Sequence, residues 1–95
     1  MIDGEIYALN KNPKTVFAYC KKGTCDTSFY IGVTSLGQVV ISRRECIYGM
    51  SLNSASHIAT DEERERFHSI LKSKGLVWNK SNKVIIKDNK EIIKI

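Results

Sequence analysis

The sequence predicts an α+β fold: a small curled antiparallel sheet or SH3-like β-barrel, one α-helix over about residues 60–74, and a C-terminal β-hairpin. Three observations carry this. Short runs of alternating or β-branched residues recur through the first half, each closed by a turn signal. The run from Thr60 to Gly75 has both ends of a helix written into it. Beyond it, two β-rich runs flank Lys80-Ser81-Asn82. At 95 residues the chain is one domain, 1–95, with a sheet or barrel part over 1–50 and a helix-plus-hairpin part over 59–95.

Gly4 to Leu9 alternates and reads as a strand, ended by the turn Asn10-Lys11-Asn12-Pro13. Thr15 to Cys20 is a second strand, rich in β-branched and aromatic residues. Lys21 to Asp26 is a polar loop. Ser28 to Thr34 is a third strand, with Phe29, Ile31 and Val33 expected on one face and Tyr30 on the other. Ser35-Leu36-Gly37 turns the chain into Gln38 to Arg43, and Glu45 to Tyr48 continues or restarts a strand. Gly49 to Ile58 reads as a loop. Gly32, inside a strand, is expected to mark a bulge that curls the sheet, in preference to a close approach of ligand or backbone.

The helix is the most legible element. Thr60 is the N-cap and Glu63 stands three residues on, a capping box. Asp61, Glu62, Glu63 and Glu65 crowd the positive end of the helix dipole, and Lys72 and Lys74 the negative end. Gly75 suits the left-handed position after the C-cap, with Leu76 folding back toward Leu71. Phe67, Ile70 and Leu71 form a short apolar stripe, so the helix needs a sheet to cover it. Leu76 to Asn79 and Lys83 to Lys87 then pair as a hairpin, with Glu91 to Ile95 as a last strand.

Ala59, Thr60, Glu62, Glu63, Phe67, Leu71, Gly75, Trp78 and Asn79 set out the pattern A-T-x-E-E, a spaced apolar stripe, a glycine and Trp-Asn. In this it resembles a group of small uncharacterised proteins encoded by phages and mobile elements of gut bacteria. The stretch from Gly4-Glu5-Ile6, including Phe29 to Ile41, is similar to the small β-barrel that often precedes this helix in the group. The resemblance is close over about a quarter of the chain and looser over another half. Its motif is structural, so it implies a fold and a genetic setting and no catalytic site. Phage accessory proteins of this size often inhibit or sequester host factors, which implies a host protein as partner and an anti-defence or regulatory role.

Charge narrows the alternatives. The net +5 lies wholly in the last quarter: residues 1–71 balance, while 72–95 hold seven lysines against Asp88 and Glu91. Such asymmetry suits nucleic acid, a phosphate-bearing small molecule or an acidic protein. It equally suits a lysine-dressed edge hairpin that resists sheet-to-sheet association. This quarter has no Arg and one aromatic, Trp78, so bidentate phosphate forks and stacking platforms are thin. Five aromatics, Tyr7, Phe17, Tyr19, Tyr30 and Tyr48, lie on expected strands near Lys21, Lys22, Arg43 and Arg44. Either one sheet face is open and tyrosine-bearing, or the helix and the barrel close over both.

No run approaches the ~20 apolar residues of a membrane span, and no secretion signal stands at the N-terminus. Three cysteines, an odd count, then read as reduced thiols, and the expected location is cytoplasmic. Cys20 and Cys25 with Cys46 and His57 have the wrong spacing for zinc and no second pair, so no metal or other cofactor is expected. Nothing flanking Cys25, Cys46, His57 or His68 resembles an activated nucleophile. The helix-start carboxylates read as caps and the chain as no enzyme. The function expected is a non-enzymatic binding module acting on a host protein, with a nucleic-acid or nucleotide binder as the alternative. The candidate ligand surface is Arg43, Arg44, Lys80, Lys83, Trp78 and Tyr30, with packing under the helix as the competing role for Trp78. An edge strand or the C-terminal hairpin offers a route to a homodimer, which the sequence leaves undecided.

Overall fold

The computed structural model describes residues 2–21, 29–41, 55–88 and 90–94. The fold is α+β, with one helix between two antiparallel sheets among these residues. Strands β1 (Ile6–Leu9), β2 (Val16–Tyr19), β3 (Phe29–Val33) and β4 (Val39–Ile41) form a meander. A fifth strand, β5 (Ser56–Ile58), returns to the free side of β1, giving the order β4-β3-β2-β1-β5. Among the described residues, β4 and β5 lie at its opposite edges. Helix α1 (Asp61–Ser73) leads into a second sheet, β6 (Leu76–Asn79), β7 (Val84–Lys87) and β8 (Lys90–Lys94), in chain order. The expected hairpin is thus two strands of a three-stranded meander.

β5 corrects the reading of Gly49 to Ile58 as a loop throughout. Ser-His-Ile has no alternation to recognise; its partner is the edge of β1, some 50 residues earlier, with His57 opposite Ala8. The expected strand over Glu45 to Tyr48 lies outside the described residues.

Helix α1 starts and stops for the expected reasons. The Thr60 Oγ1 accepts the Glu63 N–H at 3.2 Å, and the Glu63 Oε1 accepts the Thr60 N–H at 2.8 Å. Lys74 is the C-cap, and Gly75 follows at φ +72°, a conformation that costs any L side chain about 1–2 kcal/mol. The helix lies across β2 and β3 and against β6. Phe67 and Leu71 are buried there with Val16, Ala18, Ile31, Val33, Leu76, Trp78 and Ile85. Burial against two sheets supplies the stability that a 13-residue helix lacks alone.

The other face of the five-stranded sheet is also buried. Tyr7, Phe17 and Phe29 cluster there, with Leu9 and Tyr19 packed beside them. Phe17 and Tyr19 do face away from Val16, Ala18 and Cys20, as alternation requires. β3 departs from alternation. Ala18 pairs with Ile31 but Tyr19 pairs with Phe29, so Tyr30 is the extra residue of a bulge. The bulge moves Phe29 to the second cluster and turns Tyr30 into the main core, reversing the faces expected for both. Gly32 is not the bulge, since it pairs in register with Phe17. A Cβ there would lie 3.4 Å from the Phe17 Cβ and the Phe29 ring, at the short end of ordinary contact, so the glycine sits close against two aromatic side chains.

Two substitutions test these roles. Phe67→Ala, at a fully buried position, should cost about 3–5 kcal/mol in urea unfolding. Thr60→Ala should cost about 1 kcal/mol and leave the unfolding slope unchanged.

Candidate interaction surface

The residues that organise this molecule's polar chemistry are Asp3, Gly4 and Glu5, just before β1. Glu5 is the one buried charged side chain among the described residues. Its Oε1 accepts the Ile6 N–H at 2.9 Å and lies 3.1 Å from an Arg64 guanidinium nitrogen. Its Oε2 holds the Lys80 ammonium at 2.5 Å. Burial pushes the Glu5 carboxyl upward, but the Lys80 hydrogen bond, the Ile6 N–H and the charges of Arg64 and Lys80 outweigh it. The net shift is below the ordinary carboxylate range.

The Gly4 carbonyl accepts the Trp78 indole N–H at 3.0 Å. Asp3 accepts the Lys21 N–H at 2.9 Å and the Tyr30 O–H at 3.0 Å through Oδ1, and its Oδ2 lies 3.7 Å from the Lys83 ammonium. Three consecutive residues therefore tie the first sheet to α1 and to the turn between β6 and β7.

This placement revises the predicted ligand surface. Tyr30 is fully buried, with its ring stacked on Trp78 at a centroid distance of 5.0 Å, and Trp78 is itself buried. Neither ring faces solvent, and the core role of Trp78 is the one observed, against Tyr30 and within the cluster that holds Phe67. Lys80 and Lys83 are paired with Glu5 and Asp3, so their charge is largely met within the chain. Arg43 and Arg44 lie outside the described residues, as do Cys25, Cys46 and Tyr48. The open tyrosine face is not formed by Tyr7 or Tyr30, which are both buried.

His57 is bound at both ring nitrogens. Nδ1 lies 2.7 Å from Asn10 Oδ1, and Nε2 lies 3.0 Å from Glu63 Oε1. Both ring nitrogens are thus engaged within the chain. Here it fastens β5 to the β1–β2 turn and to the helix cap. Glu63 sits below its ordinary range: burial raises it, and the Thr60 N–H and His57 lower it by more. Cys20 is buried as a free thiol, pointing into the core as expected. Among the described residues, no three His, Cys, Asp or Glu side chains cluster as metal ligands. No helix of the described residues is long and apolar enough to cross a membrane.

An open cleft of about 450 Å³ lies between the β1–β2 turn and the start of α1, lined by Pro13, Lys14, Thr60, Glu62, Glu63 and Arg66. Arg66 donates there to the Lys14 and Thr34 carbonyls, and Glu63 serves the cap. The cleft is a mixed-charge surface whose main cation and main anion are both occupied.

Several apolar side chains are also exposed, Ile2, Ile58 and Val77 among them. Leu36 is 84 % exposed at the β3–β4 turn, and Val40 and Ile41 follow on β4 at 43 % and 38 %. Neither this cluster nor Asp3 and Glu5 figured in the sequence-predicted site. A faint signal for the acidic pair was present: two acids at the N-terminus face a C-terminal quarter with an excess of lysine. The chain matches no protein-family model, no curated protein and no solved structure.

The lowered Glu5 carboxyl fixes the sign of a pH effect. The unfolded chain binds more protons than the folded one just below the ordinary carboxylate range. Glu5 thus contributes stability that is full above the unfolded value and is lost as pH falls through the folded one. Glu5→Gln should lower stability at neutral pH and flatten the acid limb of stability against pH, read by urea midpoints.

Proposed function

We propose that this chain is a non-enzymatic protein-binding module that acts on a host protein, in the manner of a phage or mobile-element accessory factor working inside a bacterial cell. One observation carries the reading: four of the side chains that would form a phosphate and base site, Lys80, Lys83, Tyr30 and Trp78, are engaged within the chain. Lys80 and Lys83 hold Glu5 and Asp3, and Tyr30 and Trp78 are stacked in the core. A single-stranded nucleic acid needs a cationic groove with exposed rings for its bases. Leu36, Val40 and Ile41 offer the opposite character, suited to a desolvated protein contact. The doubly bound His57 and the buried Cys20 support a non-enzymatic role. The resemblance of the Thr60 to Asn79 segment to mobile-element proteins supports the setting and, with it, an anti-defence or regulatory target.

The test is capture on the tagged chain from bacterial lysate, with and without nuclease, at low salt and at about 0.5 M salt. The expected result is one discrete protein partner retained in all four conditions. Recovery that disappears with nuclease, or that falls steeply with salt as phosphate contacts do, would transfer the reading to nucleic acid.

A further inference from the structure

The lysines around the second sheet fall into two sets. Lys80 and Lys83, in the β6–β7 turn, are held by Glu5 and Asp3. Lys72, Lys74 and Lys87 stand at the other end of the same hairpin, and all three are exposed. None of their ammonium groups forms an ion pair with a described carboxylate.

The backbone brings this second set together. Gly75, directly after the C-cap Lys74, accepts the Asp88 N–H at 3.0 Å, which closes the α1–β6 junction against the β7–β8 turn. Lys87 lies opposite Leu76, and Lys90 lies opposite Lys87. Lys72, Lys74, Lys87 and Lys90 thus share one end of the sheet with two acids, Asp88 and Glu91, the latter opposite Ile86. The carbonyl end of α1 supplies roughly half a negative charge, too little to balance the excess. Charge is therefore polarised along the helix. Asp61, Glu62 and Glu65 are exposed at its start, about 20 Å from the lysines at its finish.

An apolar side chain adjoins this end. Val77 pairs with Ile86 on the face of the hairpin turned from the core, since Leu76 and Trp78 on either side of it are buried. Val77 is 52 % exposed, and Ile86 is half-buried. We propose that this end of the second sheet is the docking surface for the host protein, and that the docked segment is acidic and carries an aliphatic anchor, an inference that rests on the protein-binding reading. Val77 and Ile86 take the anchor, and the lysines at the adjoining strand end receive the carboxylates.

Charge complementarity selects an acidic occupant, and the neighbouring side chains select its class. An ammonium is a point charge that serves a carboxylate or a phosphate equally. Bases need rings to stack on, and Trp78, the one aromatic of the last quarter, is buried. An aliphatic pair beside lysines suits a polypeptide with acidic and aliphatic side chains. Rim lysines act chiefly on the rate of encounter and on the choice of partner, so the anchored complex persists at raised salt.

Titration of the purified full chain with a fluorescein-labelled peptide, two leucines flanked by glutamates on both sides, tests this by anisotropy at about 0.15 M salt. The expected result is saturable binding with a Kd below about 1 mM, and amide shifts centred on Val77, Ile86 and Lys87. The same peptide with glutamine for glutamate, or with serine for leucine, should bind at least about threefold more weakly. Lys87→Glu should weaken binding at least about fivefold, while Lys11→Glu, the same charge change at an exposed position in the β1–β2 turn, should change it less than about twofold. Should Lys87→Glu lose its far-UV circular dichroism, Val77→Thr keeps a β-branched side chain at an exposed position and should still weaken binding. No binding below about 1 mM, equal weakening by Lys11→Glu, or tighter binding of a twelve-nucleotide oligothymidylate at the same residues would each overturn the inference. Failure here beside a partner captured from lysate strikes this surface and leaves the host-protein reading standing; failure of the capture as well strikes both.

Discussion

The arrangement of the molecule depends on one buried carboxylate. Glu5 sits where β1, α1 and the β6–β7 turn converge, and each of its oxygens meets a cation from a different element, Arg64 from the helix and Lys80 from the turn. Burying a charge without partners costs several kcal/mol, so such a group is retained only where its partners arrive together. Glu5 thereby demands that helix and second sheet dock in one orientation. Gly4 and Asp3 repeat the demand through the Trp78 indole and through Tyr30, Lys21 and Lys83. Apolar packing of Phe67, Leu71 and Ile85 supplies the bulk of the driving force, but it is tolerant of orientation. The polar clasp is not.

The clasp also determines the surface. A tail rich in lysine presents itself from sequence as a phosphate-binding patch. Once two of those lysines are held by N-terminal acids, the local field is much reduced, and the rings that would stack on bases are inside. The β3–β4 hairpin adds exposed apolar side chains, Leu36, Val40 and Ile41.

The bulge at Tyr30 links these two features. By adding one residue to β3 it sends Phe29 to one face and Tyr30 to the other, so that each cluster receives an aromatic ring. The Tyr30 ring then stacks on Trp78 and its hydroxyl reaches Asp3, joining the clasp to the core. Gly32, across from Phe17, lies close against the Phe29 ring.

Local chemistry was legible in the sequence. The capping box of Thr60 and Glu63, the glycine at 75, the positions of β1 to β4 and the β6–β7 hairpin all follow from residues a few positions apart, because caps, turns and alternation are short-range effects. β5 was not legible, since a three-residue strand without alternation exists only because β1 offers it an edge. Nor was the face of Tyr30, because one inserted residue reverses alternation without any signal in composition. Nor was the partner of Lys80: Lys80 and Glu5 lie 75 residues apart, and a charge in sequence says nothing about the partner that tertiary folding brings to it. By itself the sequence determined an α+β chain, the helix Asp61–Ser73 and most of the described strands. Only the tertiary structure decided which charges are met and which rings are buried, because those are properties of contacts between residues far apart in the chain.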